Sequence, residues 1–149
     1  MIDVATLLVH IRVKPGMEAR FERVVAGLYR PTHEIESAVR RYEYFRGTDP
    51  ATYYCLLSFD DYHGFLAHQS SPHHEAAGPE LRELTEEMRL EWLDPLQQAS
   101  PLAPTDPQPL PPDASSVAAH YHERFDPIGA AWWDDARSAA TAGKPEVTS

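Results

Sequence analysis

Nine of the 14 prolines in this 149-residue chain fall after residue 94, and the stretch Ala99 to Ala114 (ASPLAPTDPQPLPPDA) follows neither a two-residue nor a 3.6-residue period. Proline has no backbone N–H and a fixed φ, so that stretch suits neither a central strand nor a helix interior. The core must come from what precedes it. The expected organisation is a folded domain over 1–98, a stiff, extended linker over 99–114, and a C-terminal extension over 115–149 too short to own a core.

Within the first segment, Leu7, Val9, Ile11 and Val13 alternate with Leu8, His10, Arg12 and Lys14, a strand that stops at Pro15-Gly16. Phe21, Val24, Val25 and Leu28 then fall at i, i+3, i+4 and i+7, the spacing of an amphipathic helix that Pro31 is expected to interrupt. Val39–Arg46 and Thr52–Phe59 are rich in Tyr, Phe, Val and Leu around the turn signal Gly47-Thr48-Asp49-Pro50, which predicts a hairpin. Asp60-Asp61 opens one helix with Phe65 and Leu66 turned inward. Ser70-Ser71-Pro72 opens another, reaching about Glu86 with a break expected at Pro79. Met88, Leu90 and Trp92 mark a last strand ending at Pro95. The order β-α-β-β-α-β is that of the α+β, ferredoxin-like split βαβ fold, a four-stranded antiparallel sheet with helices on one face, here followed by a helical C-terminal extension.

Such a sheet leaves its other face open, and that face includes Leu, Tyr and Phe rather than an even coat of charge. The reading is a twofold homodimer, two sheets pairing face to face into an α/β barrel.

Hydrophobic residues are 42% and charged residues 24%, ordinary for a globular chain. The formal charge of −10 argues against nucleic acid and anionic membranes as partners, and a neutral or cationic ligand meets less repulsion. Cys55 is the single cysteine, which excludes an intrachain disulfide and multi-cysteine zinc sites. With no basic signal region after Met1 and no long apolar run, the expected location is cytoplasmic.

The segments Val13-Lys14-Pro15-Gly16-Met17-Glu18-Ala19-Arg20-Phe21, Tyr42-Glu43, Phe59-Asp60-Asp61 and Ala67-His68-Gln69-Ser70-Ser71-Pro72-His73, in that order and spacing, resemble the antibiotic biosynthesis monooxygenase domain of the dimeric α/β-barrel superfamily. The resemblance spans about residues 4–98. It implies a pocket between sheet and helices and, as in many members, cofactor-free oxygenation of a quinol, anthrone or polyketide-like aromatic. The anthrone oxygenases carry Asn and Trp on the third strand and a Tyr in the next helix, where this chain has Cys55, Phe59 and Phe65. Haem-degrading relatives carry a His where Gly78 stands, which counts against haem.

Oxygenation without a cofactor needs a base that turns the substrate into an electron-rich anion, and histidine suits that work near neutral pH. His68 and His73 occupy the matched turn. Each is open to a second role, His68 bracing the turn through the backbone and His73 capping a helix. His10 interrupts an apolar strand and points either into the pocket or into the dimer interface. Tyr42, Tyr44, Tyr54, Phe59, Phe65 and Trp92 are candidate walls for a flat substrate, and Arg89 a candidate partner for a phenolate. The five-residue spacings of His63, His68 and His73 lack the helical pairing of a zinc site, so neither metal nor other cofactor is expected. No Gly-x-Ser-x-Gly elbow or phosphate loop occurs, and Cys55 reads as a small buried hydrophobe.

The leading expectation is a cofactor-independent monooxygenase, with a small aromatic and O₂ as its substrates. A cyclase or isomerase using the same pocket without O₂, and a ligand-binding dimer without catalysis, are its rivals. In the extension, Tyr121, Phe125, Trp132 and Trp133 flank Pro127-Ile128-Gly129, and docking is expected, either as a clasp on the dimer or as a lid over the pocket.

Overall fold

The computed structural model describes residues 4–125 and 130–142. Its elements run β1 (Ala5–Val13), α1 (Glu18–Ile35), β2 (Val39–Arg46), β3 (Thr52–Phe59), α2 (Tyr62–Gln69), α3 (Pro72–Leu84), β4 (Thr85–Trp92), α4 (Ser116–Arg124) and α5 (Ala131–Ala142). The four strands form one antiparallel sheet in the order β2-β3-β1-β4. This is the ferredoxin-like α+β arrangement expected from the chain, with further helices at the C-terminal end.

Alternation sorts the sheet into two faces. Leu7, Val9 and Ile11 of β1, Tyr53, Cys55, Leu57 and Phe59 of β3, and Tyr42 of β2 are buried under α1, α2 and α3. Register fixes the matching positions on β4, where Ile11 pairs with Met88 and Val9 with Leu90. Leu8, His10, Tyr54, Leu56, Phe45 and Arg89 take the other parity and face away from the helices.

Both prolines expected to break helices lie inside them. α1 continues through Pro31, and α3 through Pro79. Each proline removes one backbone donor, but α1 is held to the sheet by Phe21, Val25, Leu28 and Thr32, and α3 by Leu81 and Leu84 beyond its proline. Pro72 occupies the first turn of α3, where its missing N–H leaves no gap, with Ser71 as the N-cap accepting from the backbone N–H of His74. Asp61 caps α2 by accepting from the Gly64 N–H at 2.8 Å. Gly64 permits that approach, since a Cβ there would stand 2.8 Å from the Ala38 Cβ.

The proline-rich stretch is bound along the domain. Thr105 is buried, its hydroxyl donates to the Leu93 carbonyl at 2.6 Å and accepts from the Thr6 N–H at 3.2 Å, and Val4 forms a parallel bridge with it. Gln108 Oε1 accepts from the Tyr62 N–H, at the start of α2. α4 then packs on α2, with the Tyr62 hydroxyl 2.7 Å from His122 Nδ1. Arg137 of α5 donates to Asp94 at 2.6 and 3.1 Å and to the Thr105 carbonyl at 2.8 Å. Of the tryptophan pair, Trp133 is buried and Trp132 is 66% exposed. Pro127, Ile128 and Gly129 lie outside the described residues. No helix among the described residues is long and apolar enough to cross a membrane.

Candidate active site

A cavity of about 140 Å³ lies between the sheet and its helices. Its floor is Leu7, Val9 and Ile11 of β1, Cys55 and Leu57 of β3, Met88 and Leu90 of β4, and Tyr42 and Tyr44 of β2. Leu28 of α1, His68 and Gln69 of α2, and His74, Gly78, Leu81 and Arg82 of α3 form the walls. Tyr121, Arg124 and Phe125 close it from α4 and the residue after it, the Tyr121 and Phe125 rings stacked with centroids 6.1 Å apart.

At the α2–α3 corner three side chains meet. Glu36, just past the end of α1, receives His68 Nδ1 at 3.0 Å on each carboxylate oxygen and His73 Nε2 at 2.5 Å. Burial pushes the Glu36 carboxyl up, but its hydrogen bonds to and the charges of His68 and His73 outweigh that and hold it below its ordinary pKa. An ionised carboxylate facing Nδ1 fixes the proton there, so Nε2 is the basic nitrogen of His68. His68 is almost fully buried and lines the cavity, whereas His73 lies outside it.

The ionisable groups of the floor, and His74 on the wall, are held neutral. Burial pushes the Tyr42 and Tyr44 hydroxyls well above their ordinary value and the Cys55 thiol up to about 12. The two tyrosine hydroxyls bond each other at 3.0 Å. Burial, aided by the charge of His68, pushes His74 down to about 4, and its Nδ1 is buried with no hydrogen-bond partner among the described residues.

Of the positions selected in the sequence, the structure brings Tyr42, Tyr44 and His68 to the cavity. Three others stand outside the cavity: His10, Tyr54 and Arg89 carry the opposite strand parity and lie on the far face of the sheet, the second of the two placements open to His10. There His10 stacks edge-on against Tyr54, with its Nε2 3.6 Å from the Glu91 carboxylate, and Arg89 pairs with Glu91 at 3.5 Å. Phe59, Phe65 and Trp92 are on the helix side but belong to the core beside the cavity, where Phe65 meets Trp92 edge-on at 5.0 Å. The bonds proposed for His68 and His73 to backbone give way to a shared carboxylate. Glu36 has no local signal in the sequence, since nothing in its neighbourhood marks it off from the other acidic residues. His74, Arg82 and Arg124 likewise carry no signal that sets them apart, and Tyr121, expected only as a docking aromatic, reaches the cavity.

Glu36, His68 and His73 also bring one ligand atom each within 4.8 Å of one another, a set able to hold a metal ion. Two imidazoles and a carboxylate suit a borderline cation such as zinc. The histidine spacing that spoke against a metal left out the carboxylate contributed by α1.

A four-stranded ferredoxin-like sheet with a small cavity under its helices, walled by a carboxylate-backed histidine, defines the class: an α+β domain built to enclose a small molecule. The chain belongs to the antibiotic biosynthesis monooxygenase family, whose model matches residues 5–79. A candidate antibiotic biosynthesis monooxygenase of Caulobacter crescentus is similar in structure, with a TM-score of 0.61 and 20% identity over 64% of this chain and 92% of that one. A Pseudomonas aeruginosa protein aligns with a TM-score of 0.60 and 21% identity over 65% and 98%. A Mycobacterium tuberculosis protein gives 0.60 and 18% over 66% and 100%. Comparison with curated proteins finds no match.

Proposed function

We propose that the protein is a cofactor-independent monooxygenase of a small aromatic quinol, working as a homodimer paired through the open sheet face. One observation carries the reading: His68, with Nδ1 against the Glu36 carboxylate, borders a cavity whose floor is built of neutral and apolar groups. Membership of the monooxygenase family supports it.

In this mechanism His68 Nε2 takes a phenolic proton, and Glu36 stabilises the imidazolium that results. The quinolate, out of water, is electron-rich enough to pass an electron to O₂, and the radical pair joins at a ring carbon. Loss of the ring hydrogen and cleavage of the O–O bond leave one oxygen atom on the ring and release the other as water. The product is a hydroxyquinone, so the four electrons that O₂ accepts all come from the quinol.

Oxygen uptake by metal-free, flavin-free protein with a panel of one-ring quinols tests this. His68→Ala and Glu36→Gln are each expected to lower kcat by about 10²-fold or more. Addition of a chelator is expected to leave uptake unchanged. A rate that requires metal would move the chemistry to Glu36, His68 and His73 as ligands. Turnover that persists without O₂ would make the protein an isomerase or cyclase, and binding without turnover would leave a ligand-binding dimer.

A further inference from the structure

The chain carries a charge of −10, yet the residues that line the cavity include no carboxylate and two arginines. Eight of the eleven arginines pair with carboxylates. Arg82 and Arg124 do not pair among the described residues, and both line the cavity while remaining exposed, so they form its rim. Gly78 leaves room for the Arg82 guanidinium to lie over α3, since a Cβ there would stand 3.2 Å from Nη1. Arg124 sits 5.0 Å from the Phe125 ring centroid, a contact that leaves its N–H groups unspent. Two carboxylates bond lining residues from outside the cavity, Glu36 to His68 and Glu75 to the Tyr121 hydroxyl at 2.6 Å, and Glu75 keeps its charge 4.0 Å from His74 Nδ1. With Tyr42, Tyr44, Cys55 and His74 held neutral inside, no carboxylate among the lining residues offsets the two rim guanidiniums, in contrast to the acidic chain as a whole.

Size narrows the ligand further. A cavity of about 150 Å³ holds one benzene, and this one measures about 140 Å³. One six-membered ring fits where the three fused rings of an anthrone do not.

We propose that the ligand of this site is a single-ring aromatic acid, its ring among Leu7, Val9 and Leu90 and its carboxylate at the rim beside Arg82 and Arg124. That the ring carries two hydroxyls rests on the oxygenase reading, whereas the ring count and the acid do not. The global charge, which favoured neutral or cationic ligands, is overridden by the two guanidiniums nearest the entrance.

Calorimetric titration of the full chain near neutral pH with 2,5-dihydroxybenzoate and its neutral near-isostere 2,5-dihydroxybenzamide tests the assignment. The acid is expected to bind at least about tenfold tighter than the amide, with a preference that shrinks as salt is added. In Arg82→Gln/Arg124→Gln the two ligands should bind within about twofold of each other, and Arg82→Lys/Arg124→Lys should keep part of the preference. Both double variants change exposed side chains, and a melting temperature near that of the parent chain verifies their folding. Equal affinity for acid and amide, a preference that survives in the glutamine variant, or no binding of the acid at about 10 mM overturns the proposal. Oxygen uptake is read separately. Selective binding of the acid without uptake keeps this ligand class and removes the oxygenase, and uptake supported equally by acid and amide does the reverse.

Discussion

The two faces of the one sheet are built from the same four strands and do opposite things. On the helix side, the ionisable groups that the strands present are held neutral by burial, as with Tyr42, Tyr44 and Cys55. On the open side, charges are many and mutually paired, Arg12 with Glu87 at 3.1 Å and Arg89 with Glu91 at 3.5 Å, around Leu8, Leu56, Tyr54 and the half-exposed Phe45. A change of one residue along a strand moves a side chain from one regime to the other. Two-residue alternation thus separates a buried, neutral environment from a charged, open one without any extra element.

The largest disturbance of that contrast is to end the chain after Ala99. This removes the buried Thr105, Ala118 and Trp133, uncovering the helix side where α4 packs on α2 and the end of the sheet where Thr105 bonds Thr6. The melting temperature should fall by more than for any point substitution below, and ligand binding should be lost, while light scattering still reports a dimer. A mass falling to that of one chain would show instead that the extension clasps two subunits.

Neighbours on β1 give the next test. Ile11→Ala should cost about 2–5 kcal/mol in chemical denaturation, because a buried branched side chain is removed from a packed core. Leu8→Arg, on the open face, should act on association, lowering the mass seen in light scattering to the 16.8 kDa of one chain. Equal effects of the two on subunit stability would erase the distinction between the faces.

The smallest expected effect is a pH slope. His74 is pushed from 6.5 down to about 4 by burial. Between those values the unfolded chain binds a proton that the folded chain refuses, so stability falls as pH drops through that window. The loss reaches up to about 3 kcal/mol. His74→Leu should flatten the fall in denaturation series from pH 6.5 to 4. Curves that run parallel for the two proteins would refute the assignment. Glu36, with its depressed pKa, adds to the loss only at the acid end of the range, in both proteins.

The boundaries of β2 and β3 were legible because alternation and turn residues act locally, whereas β4 begins at Thr85, inside the stretch expected to be helical to about Glu86. Pro31 and Pro79 misled because a proline's local cost was weighed without the packing on either side of it. The site was legible only in part. Tyr53 and Tyr54 are adjacent and chemically alike, and only knowledge of which parity meets the helices separates a residue under α1 from one on the open face. Glu36 and His68 are 32 positions apart, and their meeting depends on where α1 ends relative to the turn between α2 and α3. The sign of charge at the rim was hidden for the same reason, since a sum over the chain carries no information about which arginines lack a carboxylate.

The cover over the cavity is fastened on both sides, upstream where Thr105 is built into the end of the sheet and downstream where Arg137 holds Asp94. A flap tied at both ends does not swing clear; it bows. If exchange waits on that bowing rather than on encounter, the observed association rate of a ligand levels off as its concentration rises, which stopped-flow binding measures. The same restraint would lengthen the residence of whatever the cavity holds.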